Sequence, residues 1–270
     1  MRSILLHIAD DDCLEARLQV ALDLARSMDG HVTCLQATSY EFILPGDFYG
    51  TGAAEMIVSL GEAADALRER LEARLAGEDV AWSWQQETGP AEERLIARSG
   101  LSDVIVVGCC DPVSRSSASL PGTVVARART PILLVPPEAT ALDATGTALV
   151  AWDGSPEACH ALRAARPLLA RAERVILASV EEEPPERRAF DLPPVEGAEY
   201  LSRHGIACEM VELPAGGRPV ADVLGEAAAE RDAAYMVMGA YGRMRLTEMI
   251  WGGVTRALLT RPPLPILACH

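Results

Sequence analysis

The sequence predicts an α/β fold made of two tandem domains, each a doubly wound, mostly parallel sheet covered by helices on both faces. Three observations predict it. Short apolar runs alternate with stretches of helical periodicity along the chain, the pattern of βαβ units. That pattern is written twice: DVIVVGCCDPVSRSSASLPGTVVARARTPILLVP, from Asp103, has the same order of parts as AYMVMGAYGRMRLTEMIWGGVTRALLTRPPLPILACH, from Ala234. Each gives a buried apolar run, a glycine, a polar loop, a small-residue turn, an amphipathic stretch and a final Pro-Ile-Leu strand. Finally, 270 residues that are 49% apolar suffice for two cores of ordinary size.

In the first copy, Ile4 to Ile8 is an apolar run of strand length. A helix should begin near Asp12, because Leu14, Leu18, Ala21, Leu22 and Ala25 form one stripe that covers a sheet, and Asp29-Gly30 should end it. His31 to Ala37 reads as the second strand. A loop, Ser39 to Thr51, leads to a helix from about Ala53 to Leu75, followed by strand Val80 to Gln85, helix Pro90 to Ser99 and strand Val104 to Val107.

The second copy repeats the plan with strand Ala148 to Trp152, a helix from Ser155, strands Arg174 to Val180 and Ile206 to Leu213, helix Val220 to Arg231 and strand Ala234 to Met238. Ser155-Pro156 is a strong helix start, since the hydroxyl caps a free N–H and proline at the first position forfeits no bond. Pro167 should kink or split that helix. Glu181 to Gly197, rich in proline and charge, should be an exposed loop. The proposed domains are residues 1–138 and 146–270, joined by a short linker that starts at Pro136-Pro137.

Composition excludes several functions. All 24 basic side chains are arginine, against 39 acidic ones, for a net charge of −15. Such a chain repels polyanions in the absence of a basic face, so nucleic acid is not an expected partner. Without lysine there is no P-loop lysine, kinase strand lysine or Schiff base. No apolar stretch approaches the roughly 20 residues of a membrane helix. The opening MRSILLHIAD enters a strand with no cleavage site, so a cytoplasmic address is expected and no membrane association. Seven cysteines in no metal-ligand spacing are expected to be reduced core residues. Cys109-Cys110 invites a redox reading, but strained adjacent cysteines at a strand end are more simply packing residues.

The candidate site lies in the second copy. Gly239 at a strand end and Gly242 permit tight turns, and Gly252-Gly253 put bare N–H groups at the start of a helix from about Val254. Such a set of unpaired amides converges on an anion, and a triphosphate would fit there. Arg243 and Arg245 add charge, although a solvated loop arginine is the plainer account of Arg245.

These residues resemble the universal stress protein family in its tandem form. Its domain is a five-stranded parallel α/β sheet of the adenine nucleotide α-hydrolase-like kind, and its nucleotide-binding members carry Gly-x2-Gly-x9-Gly-Ser/Thr after the fourth strand. Gly239, Gly242 and Gly252 fall on those glycines, and Gly253 stands where the family has Ser/Thr. Trp152-Asp153-Gly154-Ser155 is similar to the family's Val-Asp-Gly-Ser. The resemblance covers nearly the whole chain. It implies ATP or AMP as ligand, with Asp153 facing the ribose-phosphate or a Mg²⁺ ion and backbone near Val180 against the adenine. It also implies a regulatory role in stress physiology and a pseudo-dimer in which Ile132 to Val135 meets Pro265 to Ala268 across an internal two-fold, with a homodimer as a further option.

Gly253 removes a hydroxyl bond to an anionic oxygen worth roughly 1.5–3 kcal/mol, about ten- to a hundredfold in affinity. Thr255 would replace it only if its hydroxyl turned toward the loop, and two residues further along a helix a side chain usually points elsewhere. In the first copy, Gly108 aligns with Gly239, which sets Ala9, Asp111 and Pro121 opposite Asp153, Gly242 and Gly252. An acid that repels phosphate and a proline without an N–H predict no ATP site there, with Gly122-Thr123 displaced by one from the motif. Two further functions stay open. One is a nucleotide-independent scaffold that meets a protein partner through an exposed loop. The other is an enzyme, for which the chain shows no nucleophile elbow, zinc helix or adenylyl-transfer loop.

Overall fold

The computed structural model describes residues 1–39, 51–109, 120–181, 191–242 and 253–270. The apolar runs become strands: β1 (Ser3–Ile8), β2 (His31–Thr38), β3 (Ala81–Thr88), β4 (Val104–Gly108) and β5 (Ile132–Val135) in the first half. The second half supplies β6 (Thr147–Ala151), β7 (Arg174–Glu181), β8 (Glu209–Pro214), β9 (Ala233–Gly239) and β10 (Ile266–Cys269). All ten join one sheet in the order β3-β2-β1-β4-β5-β10-β9-β6-β7-β8. Pairs within a half are parallel, and the seam between β5 and β10 is antiparallel.

That seam realises the expected pairing of last strands. Leu133 stands opposite Leu267, flanked by Ile132 opposite Ala268 and Leu134 opposite Ile266. Because Pro131-Ile132-Leu133 and Pro265-Ile266-Leu267 are corresponding runs, the register is centred on equivalent leucines. This is the self-complementary contact of a two-fold interface, made inside one chain.

Alternation along buried strands sends successive side chains to opposite faces. Ile4, Leu6 and Ile8 share a core with α1 (Leu14–Met28), α2 (Thr51–Leu75), α5 (Pro156–Leu169) and α6 (Pro194–Arg203). Leu5, Ile105 and Val107 face the other core, covered by α3 (Ala91–Arg98), α4 (Leu120–Arg127), α7 (Val220–Glu230) and α8 (Gly253–Thr260). Each half is therefore doubly wound, and its connections diverge where the first and fourth strands lie side by side. Such a point leaves a crevice above the C-terminal strand ends.

Two local expectations need correction. Pro167 does not split α5, which runs unbroken to Leu169. The proline sits in the last turn on the exposed side, where the carbonyl it leaves without a donor can bond water. Glu181 to Gly197 is not all loop, because α6 begins at Pro194, with proline in its first turn where a missing N–H is harmless; residues 182–190 lie outside the described residues. Asp29-Gly30 ends α1 as expected, with Asp29 in the left-handed region at φ 51°. Gly30 serves close approach instead, since a Cβ there would lie 2.9 Å from the Arg2 carbonyl oxygen.

Candidate ligand site

After β6, four consecutive residues each fix one part of the site. Trp152 is buried, and its indole Nε1–H donates to the Leu192 carbonyl at 3.1 Å. Gly154 has φ 77°, and any side chain there would collide with the Leu192 backbone. Its carbonyl accepts the Leu192 N–H at 2.9 Å, so the segment before α6 is stitched over the end of β6 as one wall. Ser155 caps α5 as expected: its hydroxyl accepts from Ala158 N–H at 3.1 Å and donates to Asp153 Oδ1 at 2.6 Å. The Ser155 N–H also donates to Asp153 Oδ1, at 3.0 Å. The exposed Asp153 carboxylate is thereby oriented by the helix start beneath it.

The glycines divide by task. A Cβ on Gly239 would lie 2.5 Å from Ala158 N, and one on Gly242 would lie 2.6 Å from Glu157 Oε2. Both let the first turn of α5 press against the end of β9. Gly253, the first described residue of α8, has nothing within 4 Å of its would-be Cβ among the described residues. The expected row of unpaired amides is also narrower than the glycine spacing suggests. Ala240 N–H donates to the Cys269 carbonyl at 2.7 Å, and Tyr241 N–H to Thr255 Oγ1 at 3.2 Å. The remaining amides at this place are those of Gly253, Val254 and Thr255, the first described residues of α8; the positions four residues before them, 249–251, lie outside the described residues.

These parts enclose a cavity of about 810 Å³ at the junction of β6 and β9, bounded by Asp153, Val180, Gly239, Gly242, Gly253 and Thr255. The volume suits a drug-sized or cofactor-sized molecule. Five residues predicted from sequence thus converge on one cavity. Arg243 and Gly252 lie outside the described residues, as does Arg245. Sequence reasoning missed the acidic character of the walls: Asp153, Glu181, Asp191 and Glu212 line the cavity, with no cation among the described lining residues.

Tyr241 was missed too. It adopts φ 63°, uncommon for a residue with a side chain, and is nearly fully buried. Its phenol donates to the Gly122 carbonyl of α4 at 3.3 Å, tying the glycine loop to the first half. Burial pushes the phenol's pKa up, so it stays a donor at any physiological pH.

The corresponding place in the first half is filled from within. Arg17 of α1, completely buried, points its guanidinium back over the end of β1. Its Nε donates to the His7 carbonyl at 2.7 Å and Nη2 to the Ala9 carbonyl at 2.6 Å. Nη1 bonds both Asp11 carboxylate oxygens, at 2.7 and 2.9 Å. A Cβ on Gly108 would meet Arg17 Nη1 at 2.8 Å, so the guanidinium lies against the end of β4. Burial, reinforced by the Arg17 charge, lowers the His7 imidazole to about 3, and the ring is neutral. Pro121 is buried within α4; Asp111 and Cys110 lie outside the described residues. The cysteines are not all reduced: Cys13 takes part in a disulfide. Cys109 is a free thiol 3.9 Å from Cys13 Sγ, with its pKa pushed up first by burial, the reverse of what a reactive thiol needs.

A model of the Universal stress protein family matches residues 145–270. The crystal structure of a universal stress protein from Archaeoglobus fulgidus DSM 4304 superposes with a TM-score of 0.75 at 16% identity, covering 99% of this chain and 97% of that one. A functionally unknown protein from Pseudomonas aeruginosa PAO1 gives a TM-score of 0.57 at 20% identity, over 100% of this chain and 92% of that one. At such identities the likeness is one of fold, and it extends through the first half. No curated protein matches the chain.

Proposed function

On the premise that the second half of this chain belongs to the universal stress protein family and the first half shares its fold, we propose that the second half binds an adenine nucleotide, ATP or AMP, and that the protein regulates rather than catalyses. The observation that carries this reading is the cavity of about 810 Å³ at the β6–β9 junction, which Gly253, Val254 and Thr255 of α8 line. A phosphate beside Gly253 meets helix N–H groups and the positive end of a helix dipole. The base then lies toward Val180, between the ends of β7 and β8. Arg243 and Gly252 belong to the same reading on sequence grounds, as do the division into residues 1–138 and 146–270 and a cytoplasmic, stress-responsive role.

The chemistry of the walls bears on Mg²⁺. Among the described residues no three acidic, histidine or cysteine side chains cluster as a metal site. That suits a magnesium ion that arrives on a polyphosphate and touches one carboxylate, here Asp153, in place of a resident metal. Such an ion would supply the charge that lets a triphosphate sit among carboxylates. The same acidic walls favour AMP over ATP when Mg²⁺ is absent.

Calorimetric titration with ATP and AMP, each with and without MgCl₂, tests the proposal beside a Gly253→Asp variant. Open space at Gly253 means the substitution should leave the melting temperature unchanged while setting a negative charge at the phosphate position. The expected result is binding by the parent protein and a loss of at least about tenfold in the variant. If neither nucleotide binds at millimolar concentration, the scaffold reading replaces this one; the internally satisfied Ala240 and Tyr241 amides are the observation in its favour.

A further inference from the structure

Resting on the nucleotide reading, we propose that Thr255 supplies the hydroxyl hydrogen bond to the ligand's phosphate that Gly253 cannot. Contrary to the expectation from helix spacing, Thr255 does turn to the loop. Its Oγ1 accepts the Tyr241 N–H at 3.2 Å, and the residue lines the cavity while only 6% exposed. The reason is directional. Helical Cα–Cβ bonds lean toward the N-terminus, so a side chain at the third position of α8 reaches back over the first turn, where Gly253 and Val254 begin the helix.

The hydroxyl is placed to do two things at once. Accepting from Tyr241 uses one lone pair of the oxygen and leaves its proton to be donated. That proton has no acceptor among the described residues. A buried donor at a cavity wall calls for a partner, and a phosphate oxygen beside the α8 amides is the partner the proposed ligand brings. Tyr241 keeps the oxygen in place: its left-handed backbone aims the N–H at Thr255, and its phenol is anchored on Gly122 of the other half. The hydroxyl has thus moved from the first helical position to the third, while the function attributed to it stays with the same helix start.

The test is calorimetric titration of the full chain with MgATP and, separately, adenosine, with melting temperature as a control. Thr255→Val keeps the side chain's shape and removes the hydroxyl. Expected is about a tenfold loss for MgATP with adenosine unchanged, parent affinity in Thr255→Ser, and recovery in the Gly253→Ser/Thr255→Val double variant. Unchanged MgATP binding by Thr255→Val overturns the proposal. So does an equal loss for MgATP and adenosine that Gly253→Ser fails to repair, since Thr255 would then only hold the loop. A parent protein that binds neither compound refutes the nucleotide reading itself, a result distinct from both.

Discussion

The two halves share a fold and differ most where that fold ordinarily leaves a crevice, between the first and fourth strands. In the second half the position that aligns with Arg17 is Ala161, and the space above the strand ends is a cavity. In the first half the corresponding region holds Arg17, whose guanidinium bonds Asp11 and two strand-end carbonyls. One half has a cavity at this place, and the other bonds its strand-end carbonyls with its own side chain. The contrast teaches that the first half differs by more than a missing glycine. The place holds a buried ion pair, which stabilises the half only while both partners remain.

The largest expected effect breaks that plug. Arg17→Met should destabilise the protein by roughly 3–5 kcal/mol, because the Asp11 carboxylate stays buried without its cation; the urea unfolding midpoint measures it. Among the described residues of the second half no ion pair is buried in this way, and a loss under about 1 kcal/mol would mean that the pair is dispensable.

Next comes acid. His7 stays neutral in the folded protein down to about pH 3, whereas the unfolded chain takes up its proton near 6.5. Protons therefore favour the unfolded state, and stability is lost as pH falls through that window, on the order of 3 kcal/mol between pH 6.5 and 4. His7→Leu should flatten this limb relative to the parent protein. Its counterpart in the second half, Ala151, cannot contribute.

The glycines sharpen the comparison inside the site. Gly239→Ala should lower stability by about 1–3 kcal/mol, since the new methyl group would push on α5. Gly253→Ala should be neutral or slightly stabilising, because open space surrounds it and alanine favours helix. Thermal melts of the two variants side by side decide the matter. The smallest effect belongs to Tyr241→Phe, which removes one hydrogen bond between the halves and should cost about 0.5–1.5 kcal/mol. Faster amide exchange in α4 should accompany it.

Much of this was legible in the sequence. Apolar runs of strand length, separated by helical stripes, fix the alternation, and the repeated Pro-Ile-Leu runs mark the strands that form the seam. The Trp152-to-Ser155 element and the spacing of Gly239, Gly242 and Gly253 lead to one cavity. Arg17 was not read as buried, yet a signal was present: it lies three residues after Leu14 and four before Ala21, within the apolar stripe. The fate of the loop amides was not legible, because the acceptors of Ala240 and Tyr241 come from β10 and α8, remote from the loop in sequence or a helical turn away from where its own spacing points. Thr255 was weighed by its distance from Gly253 along the chain, whereas the lean of helical side chains decides what it reaches.

The antiparallel joint between Leu133 and Leu267 has a consequence for how the molecule behaves at low abundance. Two separate subunits meeting in that way would drift apart on dilution, with any property that depends on their contact. A covalent tether gives each face a fixed high local supply of the other, so the joint persists at any concentration of the protein. Each half also closes, for the other, what would otherwise be a raw sheet edge.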